Sequence, residues 1–335
     1  MGADSATDFQ VGTARPRFKR SLSLSRVNAR PGLNTLKLGS GKKRGGFLSV
    51  IYKHPGLTDY FRSIDVTAAT PPTEIASIVR PYEWGQVLQF PNLDLGIDHD
   101  FWASLQTDHI VRLKKLSSSP SADDPAKDAV LDRRLGDADV PAGLKRTLRR
   151  EITRLYERVL PIYESLFSGY RFTRRQVVWR LNTIRNENMH VDTYVEDFTD
   201  HFARLFINLD DQPRIWSTSW TLEQLYEHFG DQLPRELLLH GDAGAIHKAI
   251  NEAAFGGRST IWWDKQPRHV AYFDPGDVWA VDSRHVAHQI FYGRRAVSID
   301  FFVDRKTMVK PKRHYLFAAE RFRAQALQSQ AASEG

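Results

Sequence analysis

Cysteine is absent from this 335-residue chain, which excludes a disulfide framework and any metal site built on thiolates, and suits a reducing cytosol. No apolar run approaches the roughly 18 residues that a membrane-spanning helix needs. The first residues, Met1-Gly2-Ala3-Asp4-Ser5-Ala6-Thr7-Asp8, lack the apolar core of a signal peptide. Acidic residues are outnumbered, 40 against 47 Lys and Arg, leaving a net charge of +7. Basic residues cluster at Arg15 to Arg30, Lys42-Lys43-Arg44, Lys145 to Arg154 and Lys306 to Arg313. Such clusters attract polyanions or the anionic surface of a membrane, although they serve equally as solvated helix faces. No nucleic-acid motif accompanies them, and no aromatic-interleaved basic stripe of the kind that stacks bases. What is present is a core: 41% hydrophobic residues and 8 Trp.

The pattern along the chain sorts into four parts. Residues 1–45 are rich in Arg, Lys, Ser and Gly without periodicity and read as a basic, disordered tail. Residues 46–170 read as N-terminal strands and supporting helices. They include a strand and loop over Phe47 to Tyr60, a short helix then a strand over 74–93, and a polar loop from Ser117 to Asp124. Leu148, Ile152, Leu155, Val159, Ile162 and Leu166 recur at three- and four-residue spacing and predict an amphipathic helix over 144–167. From Arg171 to residue 308 the period changes to that of strands. About eight are expected, at 176–184, 189–194, 202–209, 214–219, 259–264, 269–273, 277–281 and a pair over 288–303. Helical stretches at 221–229, 233–240 and 244–254 interrupt them, and 309–335 reads as a C-terminal helix and tail. Many short strands behind a long helix predict a mainly β, α+β protein with a double-stranded β-helix core, a jelly roll of the cupin kind.

Two segments inside that core carry chemistry. Met189-His190-Val191-Asp192 holds His-x-Asp, and Ala287-His288-Gln289 follows 98 residues after His190. In a strand, residues i and i+2 share a face, so His190 and Asp192 can hold one ion together. His-x-Asp with a distant His is the ligand set of the 2-His-1-carboxylate triad. That triad holds Fe(II) by one face and leaves the other open for a cosubstrate and O2. A second match, His240-Gly241-Asp242, closes Pro234-Arg235-Glu236-Leu237-Leu238-Leu239 and reads as a surface His at a helix end. His285 is a rival for the distal ligand.

An enzyme of this type using 2-oxoglutarate needs a cation for the cosubstrate's distal carboxylate, and the Arg fork suits one. Arg204 stands in an otherwise apolar strand, where a charge is costly without a partner. Arg295 lies seven residues after His288, on the same strand face as Val297 and Ile299. Arg204 is favoured. Asn182, Arg185 and Trp216 are candidates to line the pocket. A Gly or Ala in place of Asp192 would open a halide site, so the carboxylate argues for hydroxylation.

The chain resembles the Kdo hydroxylases, iron- and 2-oxoglutarate-dependent enzymes that hydroxylate C3 of 3-deoxy-D-manno-oct-2-ulosonic acid in the lipopolysaccharide inner core. Four stretches carry the likeness. They are Glu83-Trp84-Gly85-Gln86-Val87-Leu88-Gln89-Phe90-Pro91; Met189-His190-Val191-Asp192; Arg204-Leu205-Phe206-Ile207-Asn208-Leu209 through Pro213-Arg214-Ile215-Trp216; and Pro275-Gly276-Asp277-Val278-Trp279 through His288 and Gly293 to Phe301. The resemblance implies His190, Asp192 and His288 as iron ligands and raises Arg204 above Arg295. It also implies Fe(II), 2-oxoglutarate and O2 as reactants, with ascorbate as a reductant in vitro. The expected substrate is a small molecule or glycolipid. Expected placement is cytoplasmic, with peripheral contact at the inner membrane suggested by the basic clusters. Thr193-Tyr194-Val195-Glu196-Asp197 replaces the family's apolar-Pro stretch, and the basic N-terminal extension is additional. The same chemistry on another small molecule or a peptide, and a non-catalytic jelly-roll binding protein, are the alternatives. The sequence leaves the oligomeric state unread.

Overall fold

The computed structural model describes residues 49–67, 78–105, 113, 116–181, 188–192, 199–256 and 266–334. The tail at 1–45, the strand expected at 259–264, Asn182, Arg185 and residues 193–197 lie outside the described residues.

In chain order the elements are β1 (Ile51–Tyr52), β2 (Phe61–Ser63), α1 (Val79–Glu83), β3 (Val87–Gln89), α2 (His99–Ser104), β4 (Leu116–Ser118), α3 (Ala129–Asp137), α4 (Ala142–Leu166), β5 (Phe172–Arg174), β6 (Val177–Arg180), β7 (His201–Asn208) and β8 (Arg214–Thr221). They continue with α5 (Leu222–Phe229), α6 (Arg235–His240), α7 (Ala243–Phe255), β9 (His269–Phe273), β10 (Val278–Ala280), β11 (Val286–Tyr292), β12 (Ala296–Val303) and α8 (Tyr315–Glu334). One sheet runs β1-β9-β8-β11. The other runs β2-β3-β10-β7-β12-β6-β4, with β5 also paired to β12. From β7 onward the chain crosses between the two sheets, large, small, small, large, small, large, and the pairings among these strands are antiparallel. That is the expected double-stranded β-helix.

Strands β7 and β12 are buried along their whole length because both their faces are covered. Alternation then divides the residues. Ala203, Leu205 and Ile207, with Val297, Ile299, Phe301 and Val303, join one apolar core with Leu148, Ile152, Leu155, Val159 and Leu166 of α4. Ile162 of the predicted stripe is only partly buried. The intervening residues Phe202, Arg204 and Phe206 are therefore left facing the interior between the sheets. At one end of that interior, Phe206, Trp216, Phe273 and Trp279 make a second core with Tyr60, Val87, Val281 and Ile290. A third core joins α5, α7 and α8 through Leu225, Ile250, Phe255 and Ala319, and takes in Met189, Val191 and Ala287.

Two local expectations change. Ser117 and Ser118 belong to β4 and not to a loop. Ser118 is buried because its hydroxyl meets the Tyr156 hydroxyl and accepts from Trp179 Nε1 at 3.0 Å. The strand expected at 189–194 appears, within the described residues, as a single bridge between His190 and His288. The turn at Phe273-Asp274-Pro275-Gly276-Asp277 forms as expected, with Gly276 at φ +85.

Candidate metal centre

The bridge between His190 and His288 is made by paired backbone hydrogen bonds. His190 N donates to His288 O at 3.0 Å, and His288 N donates to His190 O at 2.8 Å. Because side chains alternate, Met189 and Val191 enter the helical core while His190 and Asp192 turn the other way. Helix α7 pins this short segment. Asn251 Oδ1 accepts from Val191 N at 2.9 Å, and His247 Nε2 lies 3.2 Å from Asp192 O. On the other side, Asp192 N donates to Ser283 O at 2.9 Å.

The result is one candidate metal group among the described residues. One ligand atom each from His190, Asp192 and His288 lies within 4.8 Å of the others. His190 Nε2 stands 3.5 Å from Asp192 Oδ1, and the two imidazole centroids are 4.7 Å apart. Both rings have a fixed tautomer. His190 Nδ1 donates to Asn188 O at 2.7 Å and His288 Nδ1 to Val286 O at 3.1 Å, so each Nε2 is left with its lone pair. Burial, and next the His190 ring, push the His288 imidazole down to about 4, which favours the neutral, ligating form. Burial alone would raise the Asp192 carboxyl. The Arg204 guanidinium and the two histidines outweigh it and hold Asp192 well below the usual carboxylate range. Two imidazoles with Nδ1 turned to carbonyl oxygens and one ionised carboxylate, collected on one side of a point, fit a hard-to-borderline divalent ion with open positions opposite.

Arg204 reaches this centre from β7. Its Nε donates to Asp300 Oδ1 at 2.7 Å, directly across the β7–β12 pair, and an Nη meets Asp192 Oδ2 and Ser283 Oγ. Ser283 Oγ in turn donates to Asp192 Oδ2 at 2.5 Å. Arg295 is not brought here. It shares the outward face with Val297 and Ile299, and its guanidinium bonds Asp210 Oδ1 at 3.2 Å, Leu105 O at 2.8 Å and Ala103 O at 3.2 Å. The backbone of Arg295 pairs with Leu209, five residues and roughly 16 Å along β7 from Arg204. The structure therefore does not bring Arg295, the other expected cosubstrate residue, to the metal group; it pairs with Asp210 instead.

Trp216 stacks on the His288 ring, centroids 5.3 Å apart at 22°. Behind it, Phe206, Phe273 and Trp279 pack face and edge, Phe273 on Trp279 at 4.0 Å. His285 stays out of the ligand group and lies 3.8 Å from Asp282 Oδ2. His240 is exposed beside Glu236, while Asp242 caps α7 by accepting from Ala245 N at 2.6 Å. Ser283, His247, Asn251 and Asp300 were not singled out from the sequence. Only Asp300 carried a signal, as a charge inside the apolar run of β12.

Behind Ser283 lies a second buried polar cluster. Arg284 pairs with Asp282 and lies between the rings of Phe202 and Tyr315, at 4.2 and 4.4 Å. His201 stands 3.5 Å from Asp282, and His314 packs on His201 and Tyr315. Burial pushes His201 down to about 3, His247 to about 4 and His314 to about 2.

No family model matches the chain, and none of the curated proteins does. Solved structures do. The fold and the site together define the class: a double-stranded β-helix with a His-x-Asp…His metal group inside it. Within that class the chain is similar to the Kdo hydroxylase KdoO, a non-heme Fe(II) α-ketoglutarate-dependent dioxygenase. Against its cobalt(II) complex the TM-score is 0.60 at 18% identity, covering 78% of this chain and 95% of that one. Against its complex with succinate and Fe(III) the TM-score is 0.57 at 19% identity, with the same coverage. The complex with α-ketoglutarate and Fe(III) gives 0.55 at 18%. At this identity the likeness establishes the fold.

Proposed function

We propose that this protein is an Fe(II)- and 2-oxoglutarate-dependent dioxygenase that hydroxylates an unactivated C–H bond, with C3 of a Kdo sugar in a lipopolysaccharide precursor as its target. The observation that carries the reading is the convergence of His190, Asp192 and His288 within 4.8 Å, with both Nδ1 atoms committed to carbonyl oxygens. The similarity to KdoO supports the choice of iron, cosubstrate and sugar. In this reading the catalytic core falls within residues 171–308, and the surplus of basic residues supports contact with an anionic membrane surface, where a glycolipid substrate is found.

When bound, Fe(II) with 2-oxoglutarate and O2 supplies the oxidising chemistry that yields succinate, CO2 and a hydroxylated product. The chain's own residues prepare for it. His190 and His288 offer Nε2, and Asp192 offers a carboxylate kept ionised by Arg204. Arg204 is the residue proposed to meet the distal carboxylate of 2-oxoglutarate. It is buried, oriented by Asp300 and already beside the metal carboxylate. The aromatic wall of Phe206, Trp216 and Trp279 excludes water from the side of His288 it covers.

The test is succinate formation from 2-oxoglutarate by purified protein with Fe(II) and ascorbate, with and without Kdo2-lipid A, and with His190→Ala as control. Turnover stimulated by the glycolipid and lost in the variant is the expected result. Turnover without stimulation would keep the reaction and discard the sugar. No turnover and no bound iron would favour a non-catalytic binding protein.

A further inference from the structure

Among the described residues five large hydrophobic side chains are exposed, and two of them, Trp84 at 54% and Val309 at 49%, flank one buried anchor. The anchor is Glu83. Its carboxylate is 1% exposed and accepts from Val309 N at 2.8 Å, Lys310 N at 2.7 Å and the Tyr170 hydroxyl at 2.9 Å. One carboxylate thereby ties the end of α1 to the segment before α8 and fixes Trp84 and Val309 on the same surface. Water is a poor environment for both side chains, and no described core residue covers them.

The surroundings are cationic. Arg80, Lys306, Lys310 and Lys312 are exposed around the pair, and Arg313 lies over the Trp84 ring at 4.4 Å. The nearby acids are engaged: Glu223 with Arg313 at 3.4 Å, Asp304 with Arg171, and Glu83 inside. The other described basic cluster, on α4, differs in both respects. Arg149 pairs with Asp132, and Arg150 and Arg154 pair with Glu151, and among the described residues no exposed large hydrophobic accompanies the cluster.

We propose that Trp84 and Val309, ringed by Lys306, Lys310, Lys312 and Arg313, form a docking surface for an anionic lipid bilayer. An indole and an aliphatic side chain suit the depth of lipid headgroups, and each basic side chain near an anionic leaflet is worth about fivefold in binding. A nucleic acid fits less well. It needs an open aromatic face to stack on, and Arg313 already occupies one face of Trp84. The surface also adjoins the loop that reaches the metal centre. Gly85, next to Trp84 and at φ +73, lies so close to the loop after β10 that a Cβ there would stand 3.4 Å from His285 Cβ. Two residues before His285, Ser283 donates to Asp192. The proposal deepens the membrane part of the proposed function.

Flotation of the full-length protein with phosphatidylcholine vesicles, with and without phosphatidylglycerol, tests it. Vesicle binding needs neither iron nor 2-oxoglutarate, so a failed reaction and a failed surface are read separately. The wild type is expected to float only with phosphatidylglycerol and to be released by salt. Trp84→Ala with Val309→Ser, and separately Lys306→Glu with Lys310→Glu and Lys312→Glu, should each weaken binding by about tenfold or more. Lys145→Glu with Arg146→Glu and Arg150→Glu on α4 should bind as wild type. Patch variants that float as well as wild type would overturn the proposal. So would binding abolished by deleting residues 1–45 yet untouched by the patch substitutions, or patch variants that lose a salt-sensitive RNA shift while the wild type floats with neither vesicle.

Discussion

The interior between the two sheets has two unlike regions, and β7 supplies both. Arg204 enters a polar region with His190, Asp192, His288, Ser283 and Asp300; two residues on, Phe206 enters an aromatic one with Trp216, Phe273 and Trp279. The aromatic region is held by contact area and by ring geometry, which any close-packed filling would satisfy. The polar region is held by mutual neutralisation: Arg204 answers Asp192 and Asp300, and each carboxylate answers it. The first fails in proportion to the volume removed. The second fails when one charge is left alone. The boundary between them is the Trp216–His288 stack.

The largest expected effect falls on the polar side. Asp192→Ala should sharply reduce iron or cobalt content in halide-free buffer, because two imidazoles alone hold an ion poorly. Arg204→Met should destabilise by about 3–5 kcal/mol, since the buried Asp300 and Asp192 would both lose their cationic partner. Urea unfolding measures it, and Arg204→Met with Asp300→Leu should recover part of the loss, Asp192 still lacking its partner. A single variant as stable as wild type would break the account of neutralisation.

On the aromatic side, Trp279→Ala should cost a comparable 3–5 kcal/mol through the cavity it leaves. Its metal affinity should stay within about twofold of wild type, because Trp279 touches no ligand and reaches His288 only through Trp216. A large loss of metal affinity in this variant would mean that the two regions act as one unit.

Acid sharpens the contrast further. His201, His247 and His314 are held neutral by burial, with folded values at about 3, about 4 and about 2 against an ordinary value of 6.5. A depressed value favours the folded state above pH 6.5. That stability is lost as pH falls from 6.5 toward the folded values, where the unfolded chain takes up protons first. At pH 5 each buried ring costs roughly 2 kcal/mol, so Tm should fall steeply between pH 7 and pH 5. His314→Phe should flatten part of that fall. A Tm independent of pH over this range would contradict the neutral assignment.

Much of this was legible in the sequence. The period-2 runs of β7 to β12, the α4 stripe and the spacing of His190, Asp192 and His288 all describe local pattern, and local pattern is what a sequence displays. Arg295 was legible too. Its parity with Val297 and Ile299 already assigns it to the face covered by helices, not to the interior. Strands β1 to β5 were harder, being two or three residues long and too short to show a period. The partners that hold the polar region were out of reach. Asp300 is 96 residues from Arg204 and Ser283 is 91 from Asp192, and no spacing rule connects residues joined only by sheet register.

Ser283 offers the finest test of how the polar region works. Its hydroxyl donates to the same Asp192 oxygen that Arg204 touches, so it orients the carboxylate without adding charge. Removing it leaves Asp192 paired and ionised but less firmly aimed. Ser283→Ala should therefore weaken cobalt(II) affinity by about tenfold while changing stability far less than Arg204→Met does. Ser283→Thr, which keeps the hydroxyl, should restore most of that affinity. The cobalt d–d absorption band reports the ligand geometry directly and should shift in the alanine variant. If the alanine variant binds cobalt as tightly as wild type with an unchanged spectrum, Arg204 alone orients Asp192, and charge rather than hydrogen-bond geometry sets the order at this end of the barrel.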